Sequence, residues 1–507
     1  MTDPLLPALI AASPRYSPPR TPLRSILIHA AVLAIWALLL ARAFGFGDGG
    51  NSMSGNLWGW SVGVAYIAYD TLLLAFVAWQ TWALLKPRLS AAEAPNAADC
   101  IGVGTPTRIS VIVAAHNEAL VLPTTLAALL AQTDPPDQII VADDGSNDGT
   151  AALLTHRYGL AAPVLGALSA SSESHAGLHW LRLTHGGKAQ ALNAAVNATA
   201  NEVVLTVDGD TLLDAGAIAA VRRAFAHESE LVATTGVLTP VCSATASGRV
   251  LQWFQTYEYI RNFLSRYAWM QLQSLLLISG AFAGFRRQAL VDVGGFDADC
   301  LVEDYELIHR LRLHAARRGL DWRFRVLGDA QARTEAPSQI GAFLSQRRRW
   351  FGGFLQTQYW YRAMVGDRRL GWLGVAMLPV KAIDTLQPLY GLTAFVLLVF
   401  GVATQRLALV GPVAVLIASK ITLDLAFHLW SVRLYRRWVG SGPAARSAAF
   451  GPSLLAALLE PFTFQLLRHL GAALGWASFL SGSRQWGRQQ RVGAQAVSPP
   501  SSTESSP

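Results

Sequence analysis

The chain has 507 residues, of which 52% are hydrophobic and 15% charged, with a mean hydropathy of +0.31. That is too apolar for a wholly soluble protein, so part of it must sit in lipid. The formal charge of +8 falls in short basic clusters beside apolar runs rather than on one long stripe, which excludes nucleic acid as a partner. Cys100, Cys242 and Cys300, three and widely spaced, exclude a disulfide framework or a zinc site and read as reduced and structural.

Residues 1–24 hold Arg15, Arg20 and Arg24 among prolines and serines and lack a secretory signal, so they are expected to form an uncleaved cytosolic tail. Residues 25–46 and 60–85 are each long enough to cross a hydrocarbon core and predict a transmembrane hairpin within 25–85. The connector 47–58 has no Lys or Arg, whereas basic residues precede the first span and Lys86 and Arg88 follow the second. The positive-inside rule therefore places both ends of the hairpin in the cytosol.

Residues 96–350 read as a soluble domain. A β-branched run at 108–115 predicts a strand buried on both faces, and His116-Asn117-Glu118 turns it into a helix ending near Gln132. A second strand at 138–142 runs into Asp143-Asp144-Gly145-Ser146. Strand, helix and strand imply a parallel unit whose ligands bind at the carboxyl ends of the strands, where a carboxylate can accept from a uracil N–H or from ribose hydroxyls. An ordinary turn would explain the same residues.

Next, His185-Gly186-Gly187-Lys188 opens a helix whose backbone N–H groups and ammonium suit a diphosphate, without the spacing of a P-loop. The strand 203–207 delivers Asp208-Gly209-Asp210, a carboxylate pair able to chelate a hard divalent cation. Glu303-Asp304 follows at a helix start, where Asp304 is the preferred general base and helix-dipole stabilisation the plain alternative. Gln346-Arg347-Arg348-Arg349-Trp350 closes the series: Arg349 could clamp a diphosphate oxygen and Trp350 could stack on an acceptor sugar, while positive-inside bias explains the arginines alone.

Apolar segments return at 370–403 and 407–430, flanked by Arg368, Arg369, Arg433, Arg436 and Arg437. Residues 452–480 are too short for two crossings, and one would strand Arg484, Arg488 and Arg491 outside, so an interfacial or re-entrant helix is expected within the 351–480 region of interfacial and transmembrane helices. Residues 481–507 are basic, then rich in Ser and Pro as in disorder. Asp70 lies inside a span, and Lys420, Asp424 and His428 share one helical face; these are either neutralised packing pairs or the lining of a glycan path.

The ordered set DDGS, GGKAQALN, DGD, SG…FRR, ED and QRRRW over residues 108–350 strongly resembles the processive family-2 glycosyltransferases, which include cellulose, chitin, hyaluronan and poly-N-acetylglucosamine synthases. The resemblance implies an α/β GT-A fold, a nucleotide-sugar-binding, Rossmann-like mixed sheet in a cytosolic domain inserted between transmembrane α-helices. It implies Asp143 or Asp144, Lys188, Asp208 and Arg349 on the nucleotide sugar, Asp208 and Asp210 on Mg²⁺ or Mn²⁺, Asp304 with Glu303 as the catalytic pair, and Gln346 and Trp350 on the acceptor. The implied reaction is inverting transfer from a UDP-sugar, UDP-N-acetylglucosamine or UDP-glucose, to a growing β-linked polysaccharide.

The implied setting is a multi-pass protein of the inner (plasma) membrane, with a glycan or lipid acceptor, the bilayer, and room for accessory membrane subunits. The stretch after Trp350 is too short for the cyclic-dinucleotide-binding module of bacterial cellulose synthases, and Trp486-Gly487-Arg488 is only faintly similar to the tryptophan-glycine segment of hyaluronan and chitin synthases. Single-sugar transfer to a lipid or lipid phosphate is the rival reading, with Trp350 the discriminating residue. A noncatalytic transporter or scaffold is disfavoured because every carboxylate needed for metal and base is present.

Overall fold

A computed structural model describes residues 4–43, 60–85, 107–404 and 407–482. Cys100, the connector 47–58, Lys86, Arg88, Trp486 and the tail therefore lie outside the described residues.

One mixed sheet of eight strands organises the middle of the chain: β1 Ile109–Ala115, β2 Gln138–Asp144, β3 Leu178–Leu183, β4 Val203–Asp208, β5 Thr211–Leu213, β6 Leu231–Val241, β7 Phe282–Arg286 and β8 Arg323–Glu335, in the order β3-β2-β1-β4-β7-β6-β8-β5. β1 pairs in parallel with β2 and β4, and β2 with β3, whereas β7 runs antiparallel to both β4 and β6. The β-branched run of β1 is buried along its length, because helices Leu122–Leu130 and Lys188–Ala198 pack over a sheet with no wet face here. In register, Ala115 stands opposite Asp143 and Ala114 opposite Asp208, so two acidic turns leave the sheet at one edge on either side of β1. The helices Ala246–Gln271, Glu303–Arg318 and Ile340–Trp360 complete the domain.

Among the described residues, four helices are long and apolar enough to cross a membrane: Leu23–Ala43, Ser61–Leu85, Leu373–Ala403 and Val410–Val439. The last belongs to a continuous helix Leu407–Val439, which passes the expected end at Trp430. Its final turns bury Leu434, Tyr435 and Trp438 against the sheet domain, and Trp438 lies beside Gly328 and Tyr267. The segment expected to be one interfacial helix is two, Phe450–Leu459 and Phe464–Leu480, separated by a 3₁₀ turn at Glu460–Phe462 that contains Pro461, which cannot continue an α-helical ladder.

The Phe464–Leu480 helix lies along Ile340–Trp360, and small residues set the spacing: a Cβ on Gly471 would fall 2.5 Å from that of Arg347, and one on Gly475 2.8 Å from that of Phe351. Helix Ile340–Trp360 therefore runs straight through the expected domain boundary at residue 350.

The N-terminal segment also differs from a free tail. Helix Leu6–Ala12 docks on the sheet domain through Leu5 and Leu9, and Arg15 reaches Asp297 at 3.3 Å and Asp299 at 2.6 Å. The composition of residues 1–24 hid this because only two leucines carry the contact. Gly294 makes room for it at φ +86°, where a Cβ would lie 2.1 Å from the Leu9 nitrogen. Gly294→Ala is expected to release the segment: limited tryptic digestion should cut at Arg15 in the variant and spare it in the wild type.

Candidate functional site

β4 ends on Asp208, and the turn to β5 carries Asp210. Lys188, first residue of its helix, places Nζ 2.5 Å from Asp208 Oδ1 and 3.6 Å from Glu303 Oε1. Burial alone would lower the Lys188 ammonium, but the carboxylates of Asp208 and Glu303 outweigh it and raise its pKa. Burial raises Glu303 above the usual carboxylate range, against the opposing pull of Lys188. Asp304 accepts the Gly280 N–H at 2.7 Å through Oδ2 and the Tyr305 N–H at 2.8 Å through Oδ1, so its carboxylate is fixed in direction with lone pairs to spare.

A buried pair beneath these residues joins the two helices that carry the late motifs. Arg310 grips Glu306 through Nε at 3.1 Å and Nη2 at 2.6 Å, and the Tyr361 hydroxyl, just beyond the Ile340–Trp360 helix, donates to Glu306 at 2.6 Å. Glu303-Asp304 and Gln346–Trp350 are thereby held in one frame. A cavity of about 570 Å³ opens between them, lined by Lys188, Asp208, Asp210, Glu303, Asp304, Gln346, Arg349 and Trp350. Among the described residues Gln346 Oε1 is buried without a hydrogen-bond partner, and the Arg347 guanidinium stacks 4.7 Å from the Trp350 ring. The cation over the tryptophan is therefore Arg347, one helical turn before it.

Asp143 and Asp144 stand apart from this cavity. Asp143 accepts from Ser146 N–H at 2.9 Å and from Trp180 Nε1 at 3.2 Å. Asp144 accepts from Gly186 N–H at 2.7 Å and Gly187 N–H at 2.9 Å, with His185 Nδ1 2.9 Å away. The expectation that the glycine N–H groups cradle a diphosphate is thus corrected: Asp144 already occupies them, because a carboxylate one strand away satisfies orphan donors at a helix start.

The cavity continues between the apolar helices through Tyr69, Asp70 and Leu73 of Ser61–Thr81, Lys381, Asp384 and Gln387 of Leu378–Ala403, and Phe427. Lys381 and Asp384, 2.6 Å apart, were missed in the sequence although an ionisable pair three residues apart in an apolar run is a readable signal. Glu258, Arg261, Arg266 and Arg468 also line the cavity and carry no such signal, since their helices read as ordinary amphipathic segments. Of the charges singled out in the spans, Asp70 pairs with Lys420 at 2.7 Å and Lys420 with Asp424, while His428 lies 3.2 Å from the Ser453 hydroxyl. Neutralised pairing describes these groups, and only Asp70 among them touches the cavity.

The family description "Glycosyl transferase family 2" matches residues 110–294, and "Glycosyl transferase family group 2" matches residues 203–411. The chain belongs to glycosyltransferase family 2. This family-2 enzyme is 29% identical over 247 residues to poly-β-1,6-N-acetyl-D-glucosamine synthases of Staphylococcus aureus (strain COL) and Staphylococcus epidermidis, a match covering 48% of the chain. The chain spans about half the length of these relatives, 54%. Among solved structures it is similar to the mannosyltransferase PcManGT of Pyrobaculum calidifontis in complex with GDP-Man and Mn²⁺, with TM-score 0.52, 20% identity, and coverage of 80% of this chain and 99% of the other. That likeness shows the GT-A fold, flanked in this family-2 glycosyltransferase by apolar helices on both sides.

Asp208 and Asp210 offer hard oxygen donors on the wall of a polar cavity, a donor set that fits Mg²⁺ or Mn²⁺. The Asp144 cluster makes a sharp prediction of its own. Asp144→Asn would leave either the Gly186 or the Gly187 N–H facing an NH₂ instead of an acceptor, so the variant should lose about 2 kcal/mol of stability, visible as a lower thermal midpoint whether or not nucleotide is present.

Proposed function

We propose that this enzyme transfers a sugar from a UDP-sugar, UDP-N-acetylglucosamine or UDP-glucose, with inversion, to a growing β-linked polysaccharide that leaves through the membrane helices. The observation that carries the proposal is the continuity of one cavity from Asp208, Asp304 and Trp350 to Tyr69, Lys381 and Gln387 of the apolar helices. A polyhydroxy chain suits such a wall, whose polar and aromatic side chains offer hydrogen bonds and stacking faces.

In the proposed reaction Asp304 removes the proton from the acceptor hydroxyl as that oxygen attacks the anomeric carbon opposite the leaving UDP. The new C–O bond forms while the bond to the diphosphate oxygen breaks, and an α-linked donor yields a β-linked product. Glu303, whose pKa burial raises, lies 3.6 Å from Lys188, which offsets its charge beside Asp304. Asp208 and Asp210 would hold the divalent cation, which supplies charge neutralisation for the diphosphate. Lys188 and Arg349 bind the departing phosphates, Asp143 and Asp144 shape the turn beneath the nucleoside, and Gln346 and Trp350 hold the acceptor.

The docking of helix Leu6–Ala12 supports a shared side for the N-terminus and the sheet domain, and basic flanks favour the cytosolic face of the plasma membrane. A second reading, single-sugar transfer to a lipid acceptor, draws on Leu73, Leu74, Val77 and Phe427, which give the same cavity an apolar stretch.

UDP release by the purified protein across a panel of UDP-sugars with Mg²⁺ or Mn²⁺, with the product sized on a gel, tests the proposal. A long polymer from one donor is expected; a single-sugar product would replace it with the lipid reading. Asp304→Asn should cut transfer by roughly 10²- to 10⁴-fold with UDP binding retained. Asp208→Asn and Asp210→Asn should each weaken Mn²⁺ binding in the presence of UDP, read by the loss of the free Mn²⁺ paramagnetic signal in the wild type alone.

A further inference from the structure

Arg347 sits inside the Gln346–Trp350 turn, yet it faces another partner. Its two terminal nitrogens meet the two oxygens of Glu258 at 2.8 and 2.7 Å, a bidentate pair in which Glu258 is 4% exposed. Glu258 also lies 3.7 Å from Arg468, which approaches Glu460 at 3.3 Å. Glu460, likewise 4% exposed, receives Arg261 at 2.9 Å, and Arg261 faces Asp70 at 4.0 Å. Asp70 then pairs with Lys420 at 2.7 Å, and Lys420 with Asp424.

Four cations and four anions thus alternate from the Ile340–Trp360 helix to two membrane helices, crossing the Ala246–Gln271 and Phe464–Leu480 helices on the way. In a weakly polar interior each carboxylate needs its neighbouring cations, so loosening any link leaves a charge uncompensated and the others shift to meet it. At the near end the consequence reaches Trp350, because the guanidinium that Glu258 fixes is the one stacked on its ring.

We propose that Glu258 is a positioning residue for sugar transfer: through Arg347 it sets the orientation of Trp350, and the ladder ending at Asp70 and Lys420 makes that orientation depend on how the membrane helices sit. The inference rests on the proposed placement of the acceptor at Trp350. Asp208, Lys188 and Asp304 are outside the ladder, so cation binding and base chemistry do not depend on it, whereas Arg349 shares its helix with Arg347. The transfer step is the most sensitive, since a small displacement of a positioned acceptor is enough to slow attack.

The test uses the full-length protein in detergent. Glu258→Gln is expected to lower UDP affinity and hydrolysis of the donor by water by no more than about threefold, while transfer to a glycan acceptor falls roughly 10- to 100-fold, in kcat as well as in acceptor KM. Glu258→Asp should recover part of the loss. Asp70→Asn, at the far end, should show the same split more weakly, and the double variant should fall short of additivity.

Amide hydrogen exchange provides the second measurement. Both single variants should speed exchange in residues 340–360 and leave residues 188–198 unchanged. A wild-type acceptor KM in Glu258→Gln, equal losses of hydrolysis and transfer, or unchanged exchange at 340–360 would each overturn the proposal. Absence of UDP release by the wild type from any donor would count against the transfer reaction itself, and exchange in the two variants would still decide whether the ladder holds the turn.

Discussion

In-register parallel pairing of β1 with β2 and β4 is the constraint from which the site is built. Parallel strands share one direction, so their carboxyl ends must emerge together, and the ladder puts Asp143 and Asp208 one strand apart on either side of Ala114 and Ala115. A slip of one residue would turn each of these side chains to the opposite face of the sheet. The buried Ser110 hydroxyl, which donates to Gln138 Oε1 at 2.9 Å, favours the observed register of β1 against β2.

Charge compensation does the next part of the assembly. The carboxylates at the sheet edge are not all presented to ligand: Asp143 and Asp144 are spent on indole, histidine and backbone N–H donors, whereas Asp208 reaches the cavity beside Lys188. The same logic joins the two helices that supply Asp304 and Trp350, through an Arg310–Glu306 pair whose side chains are wholly buried and which gains Tyr361 as a third member. A paired charge of this kind adds little net stability, but it admits few alternative arrangements, which suits a frame that holds Asp304 and Trp350 in fixed relation.

The apolar helices flanking the sheet domain also line the cavity. Tyr69 donates to Asp384, Lys381 pairs with the same carboxylate, and this cluster lines the cavity that begins at the sheet edge. These polar groups are satisfied by one another, as ionisable side chains within apolar helices require. The similarity to the poly-N-acetylglucosamine synthases covers about half of their length, and the GT-A likeness to a mannosyltransferase at 20% identity concerns the fold alone.

The sequence by itself determined three of the eight strands, β1, β2 and β4, together with the four long apolar helices and the ordered motifs, because hydrophobic period, run length and turn chemistry are local properties. It also named the eight candidate residues that line the cavity. It did not distinguish Asp143 and Asp144 from Asp208, since all three are strand-end acids and only the tertiary structure shows which of them lines the cavity. Nor did it reveal the docked helix at Leu6–Ala12 or the partners of Glu258, Arg261 and Arg468. Those depend on contacts between segments as much as 200 residues or more apart, such as Arg261 with Glu460 at a separation of 199 and Arg15 with Asp299 at 284. Such pairings are chosen by tertiary packing, which decides the burial of each charge and therefore which opposite charge it must find.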